Sequence, residues 1–251
     1  MNNLCKFTGK AELYSKYRPS YPEAFLDDLF ERIRPTQESV LVEIGSGTGI
    51  LTEQLLRRHG CVIAVEPNDD MRSVAEHNLA KYSGFVSHIG TAENTLLENQ
   101  CADLVIAAQA FHWFEPEAFR KECRRILRPD APVVLVWNMR DESMPVMREN
   151  AELCRKYCPD FHGFSGGGLS DDEIVPFFRP GSCEIREFEN PQYFDRDSFI
   201  GRNLSSSYAP VAGSRQREEF VDALTDLFDR WKNAEGRIAV HHVTRRYFGR
   251  V

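Results

Sequence analysis

One carboxylate and three glycines mark the stretch of this 251-residue chain where chemistry is easiest to read. The run Glu43-Ile44-Gly45-Ser46-Gly47-Thr48-Gly49 places a glycine at every second position. Glycine lets the backbone turn sharply and brings main-chain N–H groups close to a ligand. The residues that follow have helical spacing, so a helix N-terminus would add partial positive charge, suited to a carboxylate or a phosphate. The spacing G-x-G-x-G differs from the dinucleotide pattern G-x-G-x-x-G, and the Walker ending G-K-[ST] is absent. Glu43 stands just before the glycines. A carboxylate there repels a pyrophosphate and suits a ligand ammonium or the loop's own N–H groups. Other chemistries are poorly signalled. No G-x-S-x-G elbow presents a nucleophilic serine. Cys154 and Cys158 would share a helix face, but no further His or Cys pair completes a zinc site, so no metal is expected. His241 and His242 are adjacent, so on a strand they face opposite sides.

The elements that must hold this loop follow from periodicity. Short apolar runs at 39–44, 61–65, 85–89, 103–107 and 132–137 read as buried strands. Helical spacing predicts helices at 48–59, 69–81 and 116–127, the last opened by Pro116. Alternating strands and helices imply a doubly wound α/β fold, with a mostly parallel sheet covered on both faces. Loops after the first, second and fourth strands then meet at the carboxyl edge, where such sheets bind ligands. Beyond residue 138 the pattern loosens. Helices are expected at 144–157, 196–206 and 215–233, and strands at 183–188 and 237–248. A glycine-rich loop falls at 163–168, and an acidic helix start at 170–173.

These residues resemble the class I S-adenosylmethionine-dependent methyltransferases. The likeness is to the small-molecule branch of methyltransferase type 11, which includes the trans-aconitate methyltransferases. It is most specific over residues 38–138. E-I-G-S-G-T-G is similar to that family's first motif, which implies a cofactor site at Glu43, Gly45, Ser46, Gly47 and Gly49. Glu66 ends the second strand and resembles the acid that takes both ribose hydroxyls, a task that needs a rigid carboxylate. Pro67 and Met71 resemble the P-x-x-x-M element beside the adenine, and Gly90-Thr91-Ala92-Glu93 resembles the G-x-A-E segment. Ala108-Gln109-Ala110-Phe111-His112-Trp113-Phe114 resembles an A-x-A-x-H-W-F signature, which puts Gln109 beside the cofactor's methionine part. His112 is then the candidate general base and Trp113 a pocket wall. The opening segment, with Tyr14, Tyr17, Arg18 and Tyr21, resembles a lid in which Arg18 pairs with a carboxylate and the tyrosines wall the methyl site. Tyr208 and Ser206 are candidates to face the acceptor.

The resemblance implies a Rossmann-like seven-stranded sheet whose last strand is antiparallel. It also implies S-adenosyl-L-methionine as cofactor, S-adenosyl-L-homocysteine as product, and in-line transfer of a methyl group to a small molecule. An NAD-binding oxidoreductase and a non-catalytic S-adenosylmethionine-binding protein are the alternatives. Composition agrees. The net charge of -7 argues against a nucleic-acid partner. No apolar run reaches a membrane span. The N-terminus lacks a secretory h-region, so a cytoplasmic protein is expected. Seven cysteines form no framework and are expected to be reduced. Length suggests about 1.7 domains. We assign the surplus to a single methyltransferase domain, 1–251. It has an N-terminal lid at 1–37, a cofactor-binding core at 38–138, and cap insertions at 140–182 and 195–235. Oligomeric state and acceptor identity carry no sequence signal.

Overall fold

Five β-branched and apolar runs form parallel strands: β1 (Leu41–Ile44), β2 (Val62–Val65), β3 (Phe85–His88), β4 (Leu104–Ala108) and β5 (Val133–Arg140). The computed structural model describes residues 11–164 and 169–251. Residues 1–10, with Cys5, and most of the glycine-rich loop read at 163–168 lie outside the described residues. The sheet order is β3-β2-β1-β4-β5-β9-β6, where β6 is Glu184–Glu189 and β9 is His242–Gly249. β9 runs antiparallel to both β5 and β6. The order reverses between β1 and β4, which are hydrogen-bonded neighbours. Their carboxyl ends therefore open the crevice in which such sheets hold ligands.

Alternate residues of each strand feed two cores, as the two-residue period of a strand requires. On one face Leu41, Val62, Leu104 and Val134 pack with α2 (Glu23–Ile33), α3 (Ile50–Leu56) and α4 (Asp69–Leu79) through Phe25, Leu29, Leu51, Leu55 and Leu79. On the other, Val42, Ile44, Val105 and Val133 pack with α5 (Pro116–Ile126) through Phe119, Cys123 and Ile126. Phe177, from the turn after α7 (Asp171–Ile174), stacks on Phe119 with ring centroids 5.3 Å apart.

A third core stands apart from the sheet. It joins α6 (Pro145–Tyr157), α8 (Arg196–Leu204) and α9 (Arg215–Trp231) through Met147, Cys154, Phe199, Phe220, Leu224 and Phe228. A two-stranded sheet of β7 (Gln192–Phe194) and β8 (Ile238–Val240) completes this cap. The single strand expected at 237–248 is thus two. His241 breaks it: β8 belongs to the cap and β9 to the main sheet. The chain must leave one sheet and enter the other at this point, and no periodicity marks the change. The interval 140–182 divides as well. Residues from α6 to Phe164 build the cap core, whereas Ile174, Phe177 and Phe178 pack against the main sheet. The N-terminal segment divides in the same way. α2 is a core layer, and α1 (Ala11–Tyr17) lies against α4 and α8.

Arginines that cluster in sequence are mostly paired in space. Arg125 meets Glu122, Arg128 meets Asp103, and Arg245 meets Asp171 and Glu187. Among the described residues, no helix is long and apolar enough to cross a membrane.

Candidate active site

The loop after β1 is held in a conformation that few other sequences allow. Gly45 has φ +68°, and a Cβ on it would stand 2.7 Å from Ala110 Cβ. Gly47 has φ +58°, and nothing lies within 4 Å of the place its Cβ would take. The first glycine therefore permits close packing of two loops, and the second leaves open space over the backbone. The helix that follows, α3, runs only from Ile50 to Leu56. It is shorter than the sequence spacing 48–59 implies: Gly49, in a left-handed conformation, caps its start, and the chain turns off after Leu56.

Two carboxylates brace this loop. Gly47 N–H donates to Glu66 Oε2 at 2.9 Å, and Asn68 N–H donates to Glu66 Oε1 at 2.9 Å. Each oxygen keeps a second lone pair for another donor. Burial raises the Glu66 carboxyl above its usual range, and the two N–H bonds oppose that rise. Thr52 Oγ1 donates to Glu43 Oε2 at 2.5 Å. Burial pushes the Glu43 carboxyl up to about 8, against the hydrogen bond from Thr52, and the nearby Glu66 adds to the rise. Without a cation beside it, Glu43 is therefore protonated at neutral pH. Ser46 Oγ and Thr48 Oγ1 are buried and have no hydrogen-bond partner among the described residues.

Two cavities open from this edge of the sheet. The first holds about 460 Å³ of empty space, and Glu43, Gly45, Ser46, Gly47, Tyr21 and Gln109 are among its walls. The second holds about 530 Å³, with His112, Trp113, Arg140, Ser206, Ser207 and Tyr208 on its far side. Tyr14, Arg18, Gln109, Asn138 and Arg202 line both. Gln109 takes a positive φ of 56°, a strained conformation for a residue with a side chain. Its Nε2 donates to the Asn138 carbonyl at 3.2 Å. Asn138 in turn donates through Nδ2 to Ser20 O at 3.2 Å, and its Oδ1 accepts from Thr244 Oγ1 and Asn190 Nδ2. A buried polar network thus ties the entering N-terminal segment to the ends of β4, β5 and β9.

The structure does not gather every residue singled out from the sequence. Tyr14, Arg18, Tyr21, Glu43, Gly45, Ser46, Gly47 and Gln109 meet in the first cavity. His112, Trp113, Tyr208 and Ser206 meet in the second. Tyr17 lines neither. Its ring packs against Gly201 of α8, where a Cβ would stand 2.4 Å from it. Glu66 and Met71 are buried at the β2–α4 junction, outside both cavities. Gly49 contacts Leu79 of α4, and the Glu93 carboxylate accepts from Glu115 N–H at 2.9 Å. Pro67 and Ala92 follow β2 and β3 on the same edge. Asn138, Arg140 and Arg202 are among the cavity residues that have no counterpart in the sequence candidates. Asn138 and Arg140 close the apolar run of β5, which is the one sequence cue that they reach the crevice.

A methyltransferase-domain family model matches residues 42–135. An uncharacterized methyltransferase of Mycobacterium tuberculosis is 38% identical over 215 residues, covering 85% of this chain and 82% of that one. The chain belongs to the methyltransferases and carries a methyltransferase type 11 domain. A Saccharomyces cerevisiae protein named as an S-adenosylmethionine-dependent methyltransferase is 32% identical over 122 residues, covering 47% of this chain and 41% of that one. A solved structure from Anaeromyxobacter dehalogenans, assigned to the type II methyltransferases, shares the fold. Its TM-score is 0.71 at 24% identity, covering 93% of this chain and 98% of that one. The cofactor of this methyltransferase is S-adenosylmethionine. The site fits that group: open space over Gly47, orphaned hydroxyls at Ser46 and Thr48, and an acid at each of two strand ends.

Proposed function

We propose that the first cavity holds the methionine half of the cofactor, and that the second holds a small-molecule acceptor. The shared wall of five residues supports this reading most directly, because donor and acceptor must meet across it. The bound cofactor supplies an activated methyl group on its sulfonium, ready for in-line displacement. What remains for the protein is mostly proximity and orientation.

Glu43 and Arg18 are placed to take the ammonium and carboxylate of a bound amino acid, and Glu66 to accept from vicinal hydroxyls. Gln109 and Asn138 stand where the two cavities join; the Asn138 main-chain carbonyl holds the Gln109 side chain, and Ser20, Asn190 and Thr244 hold that of Asn138. His112 lies in the 3-10 turn Phe111–Trp113, with its ring 4.6 Å from that of Trp113. It is the base we assign to an acceptor that must lose a proton. Tyr14 and the cap residues Ser206 to Tyr208 roof the second cavity and limit the acceptor's size.

A screen with methyl-labelled cofactor over small acids, phenols and amines tests this, with peptide and RNA pools alongside. The proposal expects label in a small molecule. Label only in the polymer pools would refute it.

A further inference from the structure

Three arginines converge on the second cavity with no acid to meet them. Arg18 comes from the end of the N-terminal helix, Arg140 from the end of β5 and Arg202 from α8. None of the three has a salt-bridge partner among the described residues, whereas Arg32, Arg58, Arg125, Arg128, Arg245 and Arg246 all do. Arg202 is only 9% exposed, and neither its Nε nor one of its terminal nitrogens finds an acceptor. Arg18 Nε and one terminal nitrogen of Arg140 are buried and unpartnered too. The contacts that do exist are weak compensation. Arg18 donates to Ser205 O at 3.3 Å and lies over the Tyr14 ring; Arg140 hydrogen-bonds the Tyr208 side chain and lies over the Phe164 ring, 4.3 Å from its centroid, and neither contact brings a carboxylate.

Buried, unpaired cations are costly, and such a cost persists where a ligand removes it. Burial lowers the Arg202 guanidinium well below its usual value, and Arg140 and Arg18 repel it further. His242, behind them, offers no negative charge. Burial and the charges of Arg140 and Arg202 hold it neutral, down to about 3. Glu43 is the acid among the described residues that line the first cavity, and it is protonated at neutral pH.

The cofactor cannot balance this charge. It brings one carboxylate, but also an ammonium and a sulfonium. Arg18, on the shared wall, is enough for that carboxylate. Arg140 lines only the second cavity and Arg202 lines both, so with Arg18 on the cofactor's carboxylate two cations remain. We propose that Arg140 and Arg202 form an oxyanion anchor for the acceptor. The acceptor is then a small molecule bearing a carboxylate or phosphate group, distinct from the atom that is methylated. The distinction follows from chemistry. An oxygen whose lone pairs are held by guanidinium N–H groups is a poor nucleophile, and Arg140 lies on the side of the cavity away from the cofactor wall. The Arg fork suits such a planar or tetrahedral oxyanion.

This inference rests on the reading that the second cavity holds a small acceptor. Its test separates the two. Purified protein loaded with S-adenosylhomocysteine is titrated calorimetrically with succinate, inorganic phosphate and, as a control, chloride at matched ionic strength. Succinate and phosphate separate the carboxylate and phosphate sources. The expectation is saturable binding of at least one of them, weakened about tenfold or more in Arg140→Met and in Arg202→Met. Binding of S-adenosylhomocysteine itself should change less than about threefold in Arg140→Met. The free Arg202→Met protein should also melt at a higher temperature than the parent, because an unpaired buried charge has gone. A structural arginine would give the opposite shift. Equal anion binding in parent and variants, or a lower melting temperature for Arg202→Met, would overturn the anchor. Loss of anion binding when S-adenosylhomocysteine occupies its site would show that the arginines serve the cofactor instead, and would also overturn it. Transfer of methyl label only to polymers would instead defeat the small-acceptor reading, whatever the anions do.

Discussion

Glu43→Gln should stabilise the free protein and weaken its hold on the cofactor, with a pH dependence that identifies the cause. Burial keeps the Glu43 carboxyl at about 8, against an ordinary value of 4.5. A group whose value is raised on folding carries no penalty below its unfolded value. Stability is then lost as pH rises from about 4.5 through about 8, and is level above that. At about 1.4 kcal/mol for each tenfold change in proton affinity, the loss is bounded by about 3 kcal/mol at pH 7 and about 5 kcal/mol above pH 8. Glutamine mimics the protonated acid and can still accept the hydroxyl of Thr52. Melting curves of ligand-free parent and variant, run from pH 5 to pH 9, read the difference. At pH 5 the two should agree within about 1 kcal/mol. At pH 8 the variant should melt higher by roughly 10 °C, at about 2–4 °C per kcal/mol for a chain of this length. Cofactor affinity should move the other way. In the parent, a bound ammonium ionises Glu43 and releases a proton, so affinity rises from about pH 6 to pH 8. In the variant that slope should vanish. A stability difference independent of pH, or a variant less stable at pH 8, would refute the reasoning, because Glu43 would then be ionised and satisfied in the free protein.

Three further substitutions separate the roles assigned above. Glu66→Ala removes two charge-assisted acceptors and should weaken S-adenosylhomocysteine binding by about 1.5–3 kcal/mol in calorimetry. Gly45→Ala puts a methyl 2.7 Å from Ala110 at a positive φ. It should lower stability by about 1–3 kcal/mol in urea melts and abolish measurable cofactor binding. Asp28→Ala takes from the fully buried Arg246 one of its two acids, Asp28 at 3.2 Å, and leaves only the more exposed Glu184 at 3.1 Å. It should cost about 3–5 kcal/mol in the same melts, yet leave cofactor affinity in the remaining folded protein unchanged.

The core strands were legible because β1, β2, β4 and β5 are buried on both faces and so read as unbroken apolar runs. The glycine loop was legible for the same local reason, since its conformation depends on residues next to one another. What was not legible depends on distant partners. α2 is amphipathic, but in the sequence it reads as part of a lid. β7 is three residues long, and only pairing with β8 makes it a strand. Arg202 lies in a polar stretch, R-N-L-S-S-S, that looks like any solvated helix end. Its meaning comes from Arg140, 62 positions earlier in the chain, and from Arg18, on another element again. An unpaired charge is a property of the whole surroundings, and no spacing rule carries it.

The account rests on one division of space, with the cofactor in the cavity of Glu43 and the acceptor in the cavity of Arg140. A crystal structure with S-adenosylhomocysteine tests it most directly. The account predicts the ribose hydroxyls on Glu66, the amino-acid end between Glu43 and Arg18, and the sulfur facing the second cavity beside Gln109 and Asn138. An adenosine lodged among Arg140, Arg202 and Tyr208, or a sulfur turned away from the shared wall, would contradict it.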